Sequence, residues 1–204
     1  MFFSTKIDLI SLFEDLGLGK GMDVFVHSSM SSLGYLTNGA IDVIDALLET
    51  VDPADGNILM PAHTGHLTDP ANWKNPPVPE KIIKLIRSSM LPFNPNMTPV
   101  RNRGIIANTF LTYPSVARSM HPLNSVSAIG SRSSYYTEKH SFHEPEGLES
   151  PIGRLYRNDG YCLLIGVGLE SCTAIHLAEY IANVEYLYYD NPVVLKERKN
   201  NINN

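Results

Sequence analysis

Absences narrow this chain first. No apolar run in the 204 residues approaches the ~20 needed to cross a bilayer. The opening MFFSTKIDL has neither an extended hydrophobic core nor a small-residue cleavage site. Neither a membrane span nor a secretory leader is therefore expected, and the expected compartment is the cytoplasm. Cysteine is scarce. Cys162 and Cys172 stand alone in apolar or helical sequence and read as buried thiols, not as a disulfide framework. Positive charge is in deficit, with 16 Lys plus Arg against 21 Asp plus Glu and a formal net charge of -5. Such a chain has no broad basic field to grip a phosphate backbone, so no nucleic-acid partner is expected. A local basic pocket for a phosphate-bearing cofactor remains open. There is also no Gly/Ser-rich linker and no internal repeat.

What is present suits one domain. Hydrophobic residues make up 43% of the chain, and a domain of this length buries roughly 70% of its extended surface. The domain is expected over residues 1–194. The polar LKERKNNINN at 195–204 is expected to be a disordered tail. The aromatic stretch just before it, Leu187 to Val194, calls for a partner, within the domain or on a second subunit of a homodimer.

Periodicity alternates between helix and strand. A helix is expected over Ile7–Leu16, ended by Gly17 and Gly19, then a β-branched strand over Asp23–Ser29. Ala40–Val51 places Ile41, Ile44, Leu47 and Leu48 on one helical face, widened by Val43. Asn57–Pro61 is a second strand, and strand, helix, strand marks an α/β unit. From Ala62 to Pro79 the periodicity vanishes in a loop with four prolines and two histidines, a length that is usually functional. Helices follow at Glu80–Ser89, from near Arg103 to Phe110, and at Pro151–Arg157, where Pro151 sits harmlessly in the first turn. A strand is expected around Ser125–Ile129. YCLLIGVG, Tyr161–Gly168, is the most apolar strand and is expected at the centre of the sheet. The last clear helix spans Thr173–Ala182.

Several side chains could carry chemistry. His176 and Glu179 are three apart and share a helical face. Leu177 and Ile181 define the adjacent apolar stripe, which puts the pair at or near the protein side. A carboxylate beside an imidazole fixes its tautomer and raises its basicity, as a general base requires. The plain alternative is a structural pair. Asp69 could join it from the long loop, although Asp-Pro is a routine turn opener. His63, His66 and Asp69 imitate a metal cluster, as a metal-dependent hydrolase would need, but there is no orienting helix, no HExxH and no paired cysteine motif. No metal is expected. Ser28, Ser29, Ser31 and Ser32 lie outside any G-x-S-x-G elbow, Walker or Rossmann pattern. They read as donors to an anion or carbonyl, or simply as caps and turns. Arg118, beside Ser119 and His121, could meet a phosphate or be merely solvated.

Longer motifs then become recognisable. VHSSMSSLGYLTNGAIDVIDALLE, MPAHTGHLTDPANWKNPPVPE, TPVRNRG, ARSMHPLNSVSAIG, GLESPIGRLYRNDG, LLIGVG and TAIHLAEY, in that order from about residue 22 to 182, resemble the aminoglycoside 3-N-acetyltransferase family. The resemblance implies a three-layer α/β/α sandwich. It implies acetyl-CoA as cosubstrate and direct acetyl transfer to the 3-amino group of a 2-deoxystreptamine aminoglycoside, without an acyl-enzyme. Carried over by motif, His176 becomes the general base, and Glu179 orients it or helps bind the cationic substrate. Asp69 holds the amine-bearing ring, and Glu149 contacts ammonium groups together with His63. Ser28, Ser29 and Leu33 fall along the pantetheine arm, while Arg118, Ser119, His121 and Ser125 match the segment that supports CoA. Thr173 is a candidate donor to the oxyanion. The family pattern continues past the HLAE helix, whereas this chain ends 25 residues after Glu179. A domain shortened at its C-terminus, with an open sheet edge, is the corresponding expectation. The alternative function is a member that only binds CoA or an amine.

Overall fold

In the computed structural model, which describes residues 3–101 and 103–186, the alternating pattern becomes a mixed sheet between two helical layers. The stretch Leu187 to Val194 and the polar tail lie outside the described residues. In chain order the elements are β1 (Phe3–Ser4), α1 (Lys6–Asp15), β2 (Asp23–Ser28), β3 (Tyr35–Leu36), α2 (Ala40–Val51), β4 (Asn57–Pro61) and α3 (Glu80–Ser89). There follow α4 (Gly104–Phe110), β5 (Ala117–Arg118), β6 (Val126–Gly130), α5 (Ser133–Thr137), α6 (Pro151–Arg157), β7 (Tyr161–Ile165) and α7 (Ala174–Ala182). β1 and β3 form a separate parallel pair, and the main sheet runs β5-β6-β4-β2-β7.

Local chemistry explains the boundaries. Thr5 and Asp8 form a reciprocal capping box that starts α1. Ser150 caps α6 by accepting from the Gly153 N–H, with Pro151 in the first turn. The β2-α2-β4 unit is parallel, with Val24 opposite Ile58, as the strand, helix, strand order implies. β6 instead runs antiparallel to β4, with Ile129 opposite Ile58.

Strand alternation divides the apolar residues into two cores. Val24, Val26, Ile58 and Met60 face α1, α2 and α4 through Leu9, Phe13, Ile44, Leu47, Ile106 and Phe110. Phe25, Leu59, Val126 and Ala128 face α5, α6 and α7 through Tyr136, Ile152, Leu155 and Leu177. This is the three-layer α/β/α sandwich implied by the motifs.

Two sequence expectations are corrected. β7 is not central: among the described strands it is an edge, paired only with β2, and its first residues Tyr161 and Cys162 are exposed. The middle strand of the five is β4, buried throughout, and beside it, between β4 and β7, lies β2, buried from Asp23 through His27. Its polar residues disguised it, because their partners lie far along the chain. Cys162 is likewise exposed instead of buried, and both cysteines are free thiols. They are nevertheless neighbours, since the Cys162 thiol is hydrogen bonded to Cys172.

The base of β2 is tied by Asp23, whose side chain is 2% exposed. One carboxylate oxygen accepts from Asn57 Nδ2 at 2.7 Å, and the other accepts from Arg132 Nη2 and the Tyr136 hydroxyl. Asn57 Oδ1 in turn accepts the Arg132 N–H at 2.8 Å, so β2, β4 and the start of α5 meet at one carboxylate. Replacing Asp23 with Ala leaves three donors unmatched in or near the core. Urea unfolding of Asp23→Ala is expected to show a loss of about 3 kcal/mol; a change within about 0.5 kcal/mol, the range of an ordinary surface substitution, would show that this knot is not a constraint.

Candidate active site

The chemistry gathers at the C-terminal ends of β2 and β4. From β2 the sheet extends to β4 on one side and β7 on the other, which makes this end a switch point where α/β sheets place ligands. A cleft of about 420 Å³ opens there, lined by His27, Ser28, Ser29, Arg103, Val167 and Ser171, among others. The backbone bends sharply around it. Gly166, at φ +64, lies so close to Ser32 that a Cβ there would come within 2.3 Å of the serine Cβ, and Ser32 Oγ donates to the Gly166 carbonyl at 2.9 Å. Only glycine meets both demands.

His176 and Glu179 meet on α7 as their spacing predicts. His176 Nδ1 is 2.7 Å from Glu179 Oε2, and Glu179 Oε1 accepts from the Tyr186 hydroxyl at 2.9 Å. These two hydrogen bonds, His176 first, hold the carboxyl below its ordinary range. An ionised Glu179 accepts the Nδ1 proton, which leaves Nε2 as the basic nitrogen. The side chain of His176 is 61% exposed, so it faces outward and not toward the protein side.

α7 is fastened to the cleft through His27. On β2, His27 shares a face with Phe25, and the ring centroids are 5.0 Å apart. Its Nε2 accepts the Thr173 backbone N–H at 3.2 Å. Burial, with the nearby Arg103 charge, pushes the imidazole down to about 4. A neutral ring accepting at Nε2 carries its proton on Nδ1. The Thr173 N–H is therefore committed internally, and only the hydroxyl of that residue remains for the oxyanion role expected of it.

The other expected residues divide. Ser28 and Ser29 line the cleft. Leu33 packs against the α1/α2 core. Arg118 is tied by Nε to Ser125 Oγ at 3.0 Å, and through its other nitrogens to the carbonyls of Ala62, Thr98 and Pro95. Ser125 Oγ donates to the Ala62 carbonyl at 2.6 Å. Ser119 Oγ accepts the Val126 N–H at 2.9 Å and donates to His140 Nδ1 at 2.8 Å. His121 Nδ1 accepts the N–H groups of Leu123 and Asn124 at 3.2 and 2.8 Å. These four side chains brace the wall from within.

Asp69 caps a short 3-10 turn through the Ala71 N–H and pairs with Arg87 at 2.8 Å. Glu149 pairs with Arg157 at 2.6 Å on the surface. Among the described residues, neither carboxylate has His176 or Glu179 as a hydrogen-bond partner. His63 is buried, and among the described residues its Nε2 has no hydrogen-bond partner. Desolvation, then Arg103 and the histidines at 27, 140 and 121, hold it well below the usual imidazole range. Among the described residues no cluster of His, Cys, Asp and Glu is arranged to hold a metal.

Arg103 is the residue the sequence reading missed. It stands at the N-cap of α4, lines the cleft and faces Glu146 electrostatically. The available signal was a basic residue immediately before a glycine that opens a helix, within TPVRNRG.

The family model described as aminoglycoside 3-N-acetyltransferase matches residues 25–203. The SPbeta prophage-derived aminoglycoside N(3')-acetyltransferase-like protein YokD of Bacillus subtilis (strain 168) is 44% identical over 177 residues, covering 86% of this chain and 65% of the relative. The crystal structure of that YokD protein superposes with a TM-score of 0.86 at 42% identity, over 91% of this chain and 68% of the other. AAC-IIIb in a binary complex with CoASH gives 0.76 at 30% identity, over 88% and 66% of the two chains. AAC-VIa bound to sisomicin gives 0.78 at 31% identity, over 90% and 67%. The chain thus spans about two thirds of the length of the proteins it matches.

The buried histidines make the fold acid-sensitive. Desolvation puts His27, His121 and His140 each at about 4 in the folded protein, against about 6.5 in an unfolded chain. Between those values the unfolded chain binds more protons, so stability falls as pH drops from about 6.5 toward 4, by up to ~1.4 kcal/mol per pH unit for each histidine. Glu146 opposes this, because desolvation pushes its carboxyl up to about 8 and favours the folded state toward lower pH over the range above its unfolded value. One carboxyl does not offset three imidazoles. Urea midpoints are expected to decline from pH 7 to pH 5, and a flat profile would contradict neutral burial of these rings.

Proposed function

The chain belongs to the aminoglycoside 3-N-acetyltransferase family, and from that premise we propose that it transfers acetyl from acetyl-CoA to the 3-amino group of a 2-deoxystreptamine aminoglycoside. The observation that carries this reading is the 2.7 Å His176–Glu179 pair, on a helix whose N-cap is fastened to a cleft-lining strand. The CoASH complex of AAC-IIIb and the sisomicin complex of AAC-VIa support the two ligand classes. We place the reaction in the cytoplasm.

In this reading the cleft takes the thioester arm beside Ser28 and Ser29, with Arg103 meeting phosphate oxygens. The amine nitrogen attacks the thioester carbonyl, so a C–N bond forms and the C–S bond breaks. The proton leaving the amine passes to His176 Nε2, the CoA thiolate departs, and the imidazolium is held by ionised Glu179. An imidazole suits this task near neutral pH, and no acyl-enzyme is needed. The Thr173 hydroxyl is a candidate donor to the developing oxyanion.

The substrate is a polycation and the chain is acidic, with a net charge of -5. Asp69 and Glu149 would receive its ammonium groups by exchanging them for Arg87 and Arg157. Such exposed ion pairs contribute little stability, so the exchange is energetically modest. His63 would complete this side from the long loop.

The test is thiol release from acetyl-CoA across an aminoglycoside panel with a no-amine control. Amine-dependent release is expected; none from a folded, monodisperse sample would overturn the reading in favour of a protein that only binds CoA or an amine. His176→Ala should lower turnover roughly 10²-fold with little change in acetyl-CoA affinity, and retained activity would remove His176 from the mechanism. Glu149→Gln should weaken aminoglycoside binding while sparing a minimal amine, and an equal loss with both would sink the recognition role.

A further inference from the structure

We infer that His27 is a positioning residue for the transfer: its imidazole, accepting at Nε2 from the Thr173 N–H, sets the first turn of α7 and through it the placement of His176. The inference rests on the reading of His176 as the base, and it adds a residue to which the family motifs assigned no part.

The first turn of a helix carries N–H groups without intrahelical partners. Side chains of Ser, Thr, Asp or Asn ordinarily satisfy one of them, but Thr173 makes no side-chain cap bond. The N–H of this buried residue is met instead by an imidazole from a strand 146 residues away. A second bond completes a relay, because the Thr173 carbonyl accepts the His176 N–H at 3.0 Å. The backbone of the base is thus one residue removed from the His27 ring.

That ring has little freedom. Its strand is buried and sits between β4 and β7, with His27 opposite Leu164. Phe25 packs beside it, and its exposure is 4%. A protonated ring would lose its acceptor and set a cation against the positive end of α7. Arg103 on the cleft wall also faces it, as does His63. Because His27 lines the cosubstrate cleft as well, one side chain fixes the distance between cleft and base. Acyl transfer is sensitive to that distance, since a displacement of about 1 Å can cost on the order of 10²-fold.

The experiment compares His27→Met, which keeps a bulky side chain but no nitrogen acceptor, with His27→Gln, which returns an acceptor near the Nε2 position. His176→Ala serves as the control in the same assay. His27→Met should lower kcat by about 10- to 100-fold while the KM for acetyl-CoA changes by less than about threefold, and His27→Gln should recover most of the loss. An unchanged kcat in His27→Met, a loss confined to KM, or a failure of the Gln rescue would each overturn the inference. If His176→Ala stays active while His27→Met falls, the assignment of the base fails instead, and His27 acts through some other group. A second readout needs no turnover. Amide exchange at Thr173 should quicken at least tenfold in His27→Met and slow again in His27→Gln, consistent with loss and return of one hydrogen bond; equal exchange in all three proteins would overturn the inference even without activity.

Discussion

The interior strand β2 has to bury polar side chains at both ends, and the fold is organised around satisfying them. At its base, Asp23 is matched by Asn57, Arg132 and Tyr136. At its top, His27 is matched by the Thr173 backbone. An unpaired group at either end would carry a desolvation cost comparable to a sizeable part of a domain's net stability. The two solutions recruit opposite parts of the chain: the lower one fixes β4 and α5, and the upper one fixes α7. Between them lies an uninterrupted apolar stretch, Val24 to Val26, that seeds a core on each face.

Electrostatics at the top of the sheet has a consistent sense. Buried imidazoles at 27, 121 and 140 are kept neutral, so the cleft wall presents Arg103 as its positive charge without competition from histidinium. Glu179 on α7, the half-buried Asp69 and the exposed Glu149 lie elsewhere on the chain. Under the proposed function, the anionic cosubstrate arm would meet Arg103 and the cationic acceptor these carboxylates.

Much of this was legible in the sequence. Amphipathic spacing located α2 and α3 with the bounds observed, and Pro151 with the Asn-Asp-Gly turn framed α6. The His176–Glu179 contact followed from helical geometry alone. Sheet order did not, because local hydrophobicity ranks strands by apolarity and not by position. YCLLI outranked DVFVHS, yet the first is an edge and the second lies inside the sheet, where its aspartate and histidine find partners 109, 113 and 146 residues away. The five-residue α5 passed unnoticed for a related reason: too short for a periodic signal, it is held by Tyr136 packing beneath the sheet. For Arg118 the sequence leaves a phosphate contact and a solvated role both open, because no local pattern shows the four internal oxygens that surround it.

That arrangement around Arg118 has a mechanical meaning. The guanidinium joins the turn after β4, at Ala62, to the irregular segment around Pro95 and Thr98, while Ser125 ties the start of β6 to the same point. Two stretches with almost no regular structure are therefore riveted into one plate and cannot swing independently. Opening that plate would require several buried bonds to break together, which makes it a single cooperative unit instead of a pair of loose flaps. The long loop contributes a stiff wall whose shape is set before any ligand arrives.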